Sequence, residues 1–197
     1  MMRNRPRIIA ITGGSGVGKG EVCRILARNG VEIIDTDSLA HHVMLRGETA
    51  AYDEVAAEFG CEILGDDGEI DRKKLGPIVF ADKDRLAALS GIVHKYVRAR
   101  CEEVVEKSTS GTIAIDAPAL IEAEMQDMCD IIIGIFARRD LRVARIITRD
   151  GISPEAAERR VGSQMPDTVL RGYVDIAIEN NGTIQELEEK LRHEGIC

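Results

Sequence analysis

Residues 7–12 read RIIAIT, the chain then turns through GGSGVGKG at 13–20, and KGEVCRILAR follows from Lys19. This passage constrains the fold more than any other. A continuous apolar run cut off by glycines reads as a strand buried on both faces of a parallel sheet. Val22, Ile25 and Leu26 then recur at helical spacing, and Asn29-Gly30 is a helix stop. Val31 to Ile34 (VEII) is a second strand, ending in Asp35-Thr36-Asp37. Strand, glycine turn, helix, strand is a βαβ unit, and its crossover should be right-handed. Read from Gly13, the turn fits G-x-x-x-x-G-K-[ST] except at its last position, where Gly20 replaces the hydroxyl residue.

Between Ser38 and about Lys107 no strong strand is found. Leu39 to Met44, Ala50 to Phe59 and Asp84 to Val105 read as helical, and Pro77 within Leu75 to Phe80 marks a helix start or kink. Thr112 to Ile115 and Ile131 to Phe136 are the third and fourth strands. Arg139 to Arg149 and Ser153 to Ser163 read as two helices, the second with Ser153 at its cap and Pro154 in its first turn. Val174 to Ile178 is a last strand, and a terminal helix is capped near Thr183. The order predicts an open α/β sheet with a helical insertion after the second strand and a helical flap after the fourth.

The length of 197 residues suits one domain with inserted parts. No apolar run approaches the roughly 20 residues of a membrane span. The basic start MMRNRPR leads into an apolar stretch too short for a signal sequence, so residues 8–12 are read as strand. The five cysteines, Cys23, Cys61, Cys101, Cys129 and Cys197, form no C-x-x-C pair, which predicts thiols in a reducing cytoplasm rather than a metal or disulfide framework. A net charge of −8 argues against a general nucleic-acid binder. It also requires any polyanionic ligand to meet a local basic cluster. The expected assembly is a monomer or a weak homo-oligomer.

The chemistry of the turn follows from its backbone. A row of N–H groups at a helix N-terminus, with its partial positive charge, holds phosphate oxygens. The candidate binding residues are Gly14, Ser15, Gly16, Val17, Gly18, Lys19, Gly20 and Glu21, with Lys19 as the cation that reaches the β- and γ-phosphates. Gly20 removes a direct magnesium ligand but neither the amides nor Lys19. Magnesium keeps several waters and uses few protein oxygens, so water, Asp37, Asp116 or Glu21 are the candidates to complete its shell. The G-K-G step resembles that of small nucleotide kinases of the adenylate kinase type, although those follow it with Thr where this chain has Glu21.

Asp35 and Asp37 end the second strand, where an acceptor hydroxyl would be held. A carboxylate there can orient the hydroxyl and take its proton during phosphoryl transfer. The plainer alternative is a cap for the helix from Ser38 onward. The catalytic reading is preferred for Asp37 over Asp35.

With these residues in place the chain resembles the dephospho-coenzyme A kinases over nearly its whole length. The fragments that carry the resemblance are ITGGSGVGKG at 11–20, IIDTDSLAH at 33–41, FG at 59–60, DG at 67–68, DR at 71–72, Leu75, VF at 79–80, LSGIVHKYV at 89–97, DAPALIE at 116–122, RVGSQ at 160–164, Asp175 and IENNG at 178–182. Ser90, Lys95 and Ala119 depart from the family pattern, as do Gly20 and Glu21. The resemblance implies ATP-dependent phosphorylation of the ribose 3′-hydroxyl of dephospho-coenzyme A, giving coenzyme A and ADP, with Mg2+. It implies a P-loop NTPase three-layer α/β/α core with a parallel sheet (1–37, 108–137, 166–197), a helical substrate-binding insertion (38–107) and a small helical lid (138–165). Asp37 falls on the family's base position. Asp116 is a further metal candidate by its place at a strand end. Arg72, His94, Pro118 and Leu120 match the substrate side, and Asn180 and Gly182 match a turn near adenine, where a simple Asn-Gly turn is the equal alternative.

Arg138, Arg142, Arg145 and Arg149 are spaced to line one helix face. In an acidic chain the stripe reads as an anion site suited to bidentate phosphate contact. The alternative is a solvated face salted by Asp140 and Asp150. Arg145 and Arg149 match family lid positions and are the catalytic candidates, Arg138 and Arg142 are extra, and Arg160 is a weaker lid candidate near Gln164. His41 and His42 read as helix surface. Two rivals stand beside the resemblance: a kinase for another small acceptor, and a nucleotide-binding regulator that has lost catalysis, for which Gly20 and Glu21 are the best support.

Overall fold

The first strand, β1, forms over Arg7–Thr12, and all its residues after Arg7 are buried. Ile9 and Ile11 pack with one cluster of core residues, and Ile8 and Ala10, on the opposite pleat, are equally inaccessible. This is the pattern that a strand covered on both faces requires. The computed structural model describes residues 5–196, so Cys197 and the first four residues of the basic start lie outside the described residues.

The remaining strands are β2 (Glu32–Asp35), β3 (Thr112–Asp116), β4 (Ile131–Phe136) and β5 (Ile176–Glu179), in the order β2-β3-β1-β4-β5. The β1–β3, β1–β4 and β4–β5 pairs are parallel. The chain moves to one side of β1 for β2 and β3 and to the other for β4 and β5. The order therefore reverses at β1, and the crevice used by open α/β sheets lies at that strand's C-terminal end. The glycine turn stands there. Helix α1 (Lys19–Arg28) packs Val22, Ile25 and Leu26 onto the sheet together with Leu187 and Leu191 of α9 (Ile184–His193). Burying one such side chain contributes about 1.5–3 kcal/mol, so the helix after the turn is anchored by its apolar face.

Two aspartates fix the strand starts. Asp130 Oδ2 accepts from Ile8 N at 2.7 Å, and Asp175 Oδ2 accepts from Ile132 N at 2.7 Å. The second bond corrects the expected range of the last strand. Asp175 gives its side chain to the neighbouring strand, and regular β5 begins one residue later.

The described residues divide into two compact units. One takes the chain up to Ile34 and from Ser108 on; the other is Asp35–Lys107. The first holds the sheet, α1, α6 (Arg139–Asp150), α7 (Pro154–Gly162), α8 (Asp167–Leu170) and α9. Val143 and Ile146 of α6 meet Ala157 and Val161 of α7 in a small core of their own. The second unit holds α2 (Thr36–Val43), α3 (Ala51–Phe59), α4 (Arg72–Ala81) and α5 (Lys83–Lys107), around Val55, Phe59, Ile63, Leu75 and Val79. Pro77 neither starts α4 nor ends it: Asp71 caps the helix by accepting from Lys73 N at 2.8 Å, so the start lies upstream of the proline. Helix α5 runs unbroken through Lys95, a position that departs from the family pattern.

Candidate active site

The turn between β1 and α1 is shaped by what meets it. Gly18 has φ 99° and serves as the N-cap of α1; a Cβ there would lie 2.3 Å from Asn180 Nδ2. Only glycine combines this left-handed backbone with so close an approach. Val17 points inward and is buried, so its contribution to a ligand would be its backbone. Lys19 opens α1, and its Nζ donates to Gly13 O at 2.8 Å. Gly20 differs from the other loop glycines. It sits in the first turn of α1, is exposed, and a Cβ there would meet no atom within 4 Å. Glu21 is drawn to Arg24 at 2.6 Å and Arg28 at 3.7 Å, which sets it among cations of its own helix rather than free to serve as a metal ligand.

The loop's carbonyls are answered from the far end of the sequence. Asn180 Nδ2 donates to Val17 O at 2.8 Å. Arg145 Nη1 donates to Gly16 O at 3.3 Å and Val17 O at 3.4 Å, and its Nη2 to Asn180 O at 3.0 Å. Arg142 Nε donates to Ser15 O at 3.0 Å. Carbonyls turned toward these donors take the negative ends of the peptide dipoles to one side, and this favours an anion on the other.

The arginine stripe is thus divided by its surroundings. Arg138 lies outside α6 as its cap residue and pairs with Asp140, so it is not part of a helix face. Arg142, extra to the family's lid positions, is buried, so the solvated-face alternative does not hold for it. Arg149 is exposed and forms two bonds to Asp150, at 2.7 and 2.9 Å. Arg160 reaches the same carboxylate. The two guanidiniums hold the Asp150 carboxyl down to about 2, Arg149 being the larger cause.

Asp116 ends β3 in register with Ile11 of β1, two residues before Gly13, and its Oδ1 is buried. Thr12 Oγ1 is likewise buried and has no hydrogen-bond partner among the described residues. Pro118 is half-buried in the turn after β3. Leu120 is wholly buried, so it belongs to the packing beneath that turn and offers no surface to a substrate. Asn180, expected beside adenine, spends its side chain on Val17; Asn181 Oδ1 accepts from Arg138 N at 2.8 Å. Gly182 precedes the capping box of Thr183 and Glu186, and with Asn181, Glu186, Glu189, Lys190 and His193 it lines an open cleft of about 690 Å³.

In the second unit the acidic turn takes a clear division of labour. Asp35 caps α2, its Oδ1 accepting from Asp37 N at 3.0 Å and Ser38 N at 3.1 Å. The capping alternative therefore belongs to Asp35, and the Asp37 carboxylate stands exposed in the first turn. Arg72 Nη2 lies 2.7 Å from His41 Nδ1, a contact that sequence spacing did not suggest. His94 is half-buried on α5. Beside it Lys95 Nζ and Tyr96 Oη both donate to Glu54 Oε1, at 2.9 and 2.6 Å.

Gln164 was also missed as a contact: its Oε1 accepts from Ser15 N at 2.9 Å and its Nε2 donates to Ser15 Oγ at 3.1 Å. The only signal for it was its place in the RVGSQ fragment.

The chain is similar to known proteins over most of its length. The profile of the dephospho-CoA kinase family matches residues 7–186. A dephospho-CoA kinase of Thermobifida fusca is 38% identical over 184 residues, covering 93% of this chain and 92% of that one. One of Geobacter metallireducens is 41% identical over 188 residues, with 93% and 92% covered. The crystal structure of a Thermus thermophilus protein superposes with a TM-score of 0.82 at 29% identity, covering 97% of both chains. The dephospho-CoA kinase of Campylobacter jejuni gives 0.67 at 25%, covering 95% of this chain and 96% of that one.

Proposed function

Since the chain belongs to the dephospho-CoA kinase family, we propose that its glycine loop grips the triphosphate of ATP while Asp37 serves the acceptor hydroxyl. The chain is an ATP-dependent kinase acting on dephospho-CoA. The bond made joins the ribose 3′ oxygen to the γ-phosphorus. The bond broken links that phosphorus to the β,γ-bridging oxygen, and the products are coenzyme A and ADP. The hydroxyl proton passes to the Asp37 carboxylate. The observation that carries the reading is the loop itself, whose carbonyls are tied back by Arg145 and Asn180 beside Lys19 at the start of α1. Little covalent chemistry is asked of the protein in such a transfer; positioning and charge stabilisation supply the catalysis.

In this reading Lys19 swings from Gly13 O to the β- and γ-phosphates, and Arg145 and Arg149 offset charge that builds on the transferred group. The cleft along Asn181 and Gly182 takes the adenine. Arg72 and His94 bind dephospho-CoA within the helical insertion, 38–107, Pro118 is a further substrate contact, and 138–165 act as the lid. Mg2+ fits the residues present. No group of three or more candidate ligands occurs among the described residues, but Mg2+ bound to phosphates and water needs only one or two carboxylates. Asp116, with a buried oxygen beside the loop, is the one proposed. The metal neutralises phosphate charge when bound. No helix of the described residues is long and apolar enough to cross a membrane. The scattered cysteines fit a reducing compartment, and the cytoplasm is the proposed place of reaction.

Transfer of label from [γ-32P]ATP to dephospho-CoA, against a panel of other sugar and nucleoside alcohols, tests the reading. Label in coenzyme A at the 3′ position is expected. Label in another acceptor, or ATP binding with no transfer to any, would replace it with one of the two rivals, which the family match does not favour.

A further inference from the structure

Among the described residues Arg142 is the one buried charged side chain. A buried guanidinium is costly unless its N–H groups are all met. Here each nitrogen has a partner: Nε donates to Ser15 O at 3.0 Å, Nη2 to Gln164 Oε1 at 3.0 Å and Nη1 to Asp167 Oδ1 at 3.1 Å. Gln164 in turn holds the N–H and the hydroxyl of Ser15. Every polar atom of Ser15 is therefore committed, and to two side chains that touch each other. The contact is close as well as polar. A Cβ on Gly14 would lie 2.2 Å from Arg142 Nη2 and 2.7 Å from Gln164 Oε1, so the loop backbone lies directly against the pair.

The geometry points to Arg142 as a positioning residue that, jointly with Gln164 and with Asp167 as counter-ion, fixes the shape of the phosphate-gripping loop through Ser15. The inference rests on the reading of that loop as the ATP triphosphate site. A loop ordered in advance does not pay for its ordering when the ligand arrives. Removing the clamp thus weakens the grip on triphosphate and leaves the acceptor side alone. The planar fork matters, because the three bonds leave three separate nitrogens of one rigid plane, a spread that the single nitrogen of an ammonium does not reach.

Steady-state kinetics of the full-length enzyme test this. Arg142→Gln should raise KM for ATP by about tenfold, the scale of losing hydrogen bonds from a charged group, with KM for dephospho-CoA within about twofold of the starting enzyme. Arg142→Lys should fail to restore it. Gln164→Met, which removes two of the holds on Ser15, should give a similar rise and add little in the double variant, since both act on one residue. It also serves if Arg142→Gln does not fold. A merely structural role would lower kcat through a smaller active fraction and leave both KM values in place; that result overturns the inference, as does an equal rise in both KM values. If the unaltered enzyme shows no saturation by ATP, the loop reading itself falls, and the inference with it.

Discussion

The glycine loop of the first unit and the Asp35-Thr36-Asp37 turn of the second treat their polar atoms in opposite ways. In the loop, the carbonyls of Ser15, Gly16 and Val17 are met by side chains 127 to 163 positions further along the chain. In the turn, Asp35 bonds, among the described residues, to N–H groups two and three residues on, and the Asp37 carboxylate is exposed to solvent. The contrast suits two tasks. A grip on a highly charged ligand gains from being built beforehand, because reorganisation then costs nothing during reaction. A proton acceptor gains from an oxygen that no other group has claimed.

The largest expected effect lies on the exposed side. Asp37→Asn keeps shape and removes basicity, so turnover should fall at least about a hundredfold, the scale of a lost proton acceptor, with ATP affinity unchanged. Near-normal kcat would take Asp37 out of the role and erase the functional half of the contrast. Next comes the braced side. Asn180→Ala strips Val17 O of its shortest donor in a buried place. Unfolding by denaturant should show a loss of about 1–3 kcal/mol, and a value near zero would mean that Arg145 alone suffices to hold the loop. Smaller again is Asp35→Ala, which removes the cap of α2 at a cost of about 1 kcal/mol. Circular dichroism on melting would register it, and a collapse of turnover to the level of Asp37→Asn would show that the two carboxylates had been assigned the wrong way round.

How much of this was written in the sequence differs along the same lines. β1, α1 and β4 have the bounds that their residues predict, because β1 and α1 are runs of one pattern closed by Gly13 and Asn29, and β4 is an apolar run that opens after Asp130. β5 was displaced by the side-chain bond of Asp175, and α8 follows Pro166 in a stretch too short to show a period. The loop's glycines and Lys19 could be read because their spacing is local. The bracing could not. Arg142, Arg145 and Arg149 share one stripe in the sequence, yet one is buried against Ser15, one reaches Gly16 and Val17, and one pairs with Asp150 in solvent. Spacing tells which residues share a helix face. It does not tell what the rest of the chain brings to that face.

Gly20 is where the two sides of the contrast meet in one residue, and it gives the smallest and most pointed test. It belongs to the loop, yet nothing has been built around it. A Cβ would meet no atom within 4 Å, and its backbone is helical rather than left-handed. The glycine is therefore not demanded by geometry, unlike Gly18. Gly20→Ser should leave the fold intact and, since serine is the better helix former, change stability by no more than about 0.5 kcal/mol. It also restores a hydroxyl where the motif places a magnesium ligand. Turnover should stay the same or rise, and less magnesium should be needed for half-saturation of ATP binding, read by calorimetry as well as by ADP release. A loss of about tenfold or more would mean that the open space beside Gly20 is itself in use, as room for the water that takes the hydroxyl's place. The loop would then be built around an absence as strictly as it is built around Asn180.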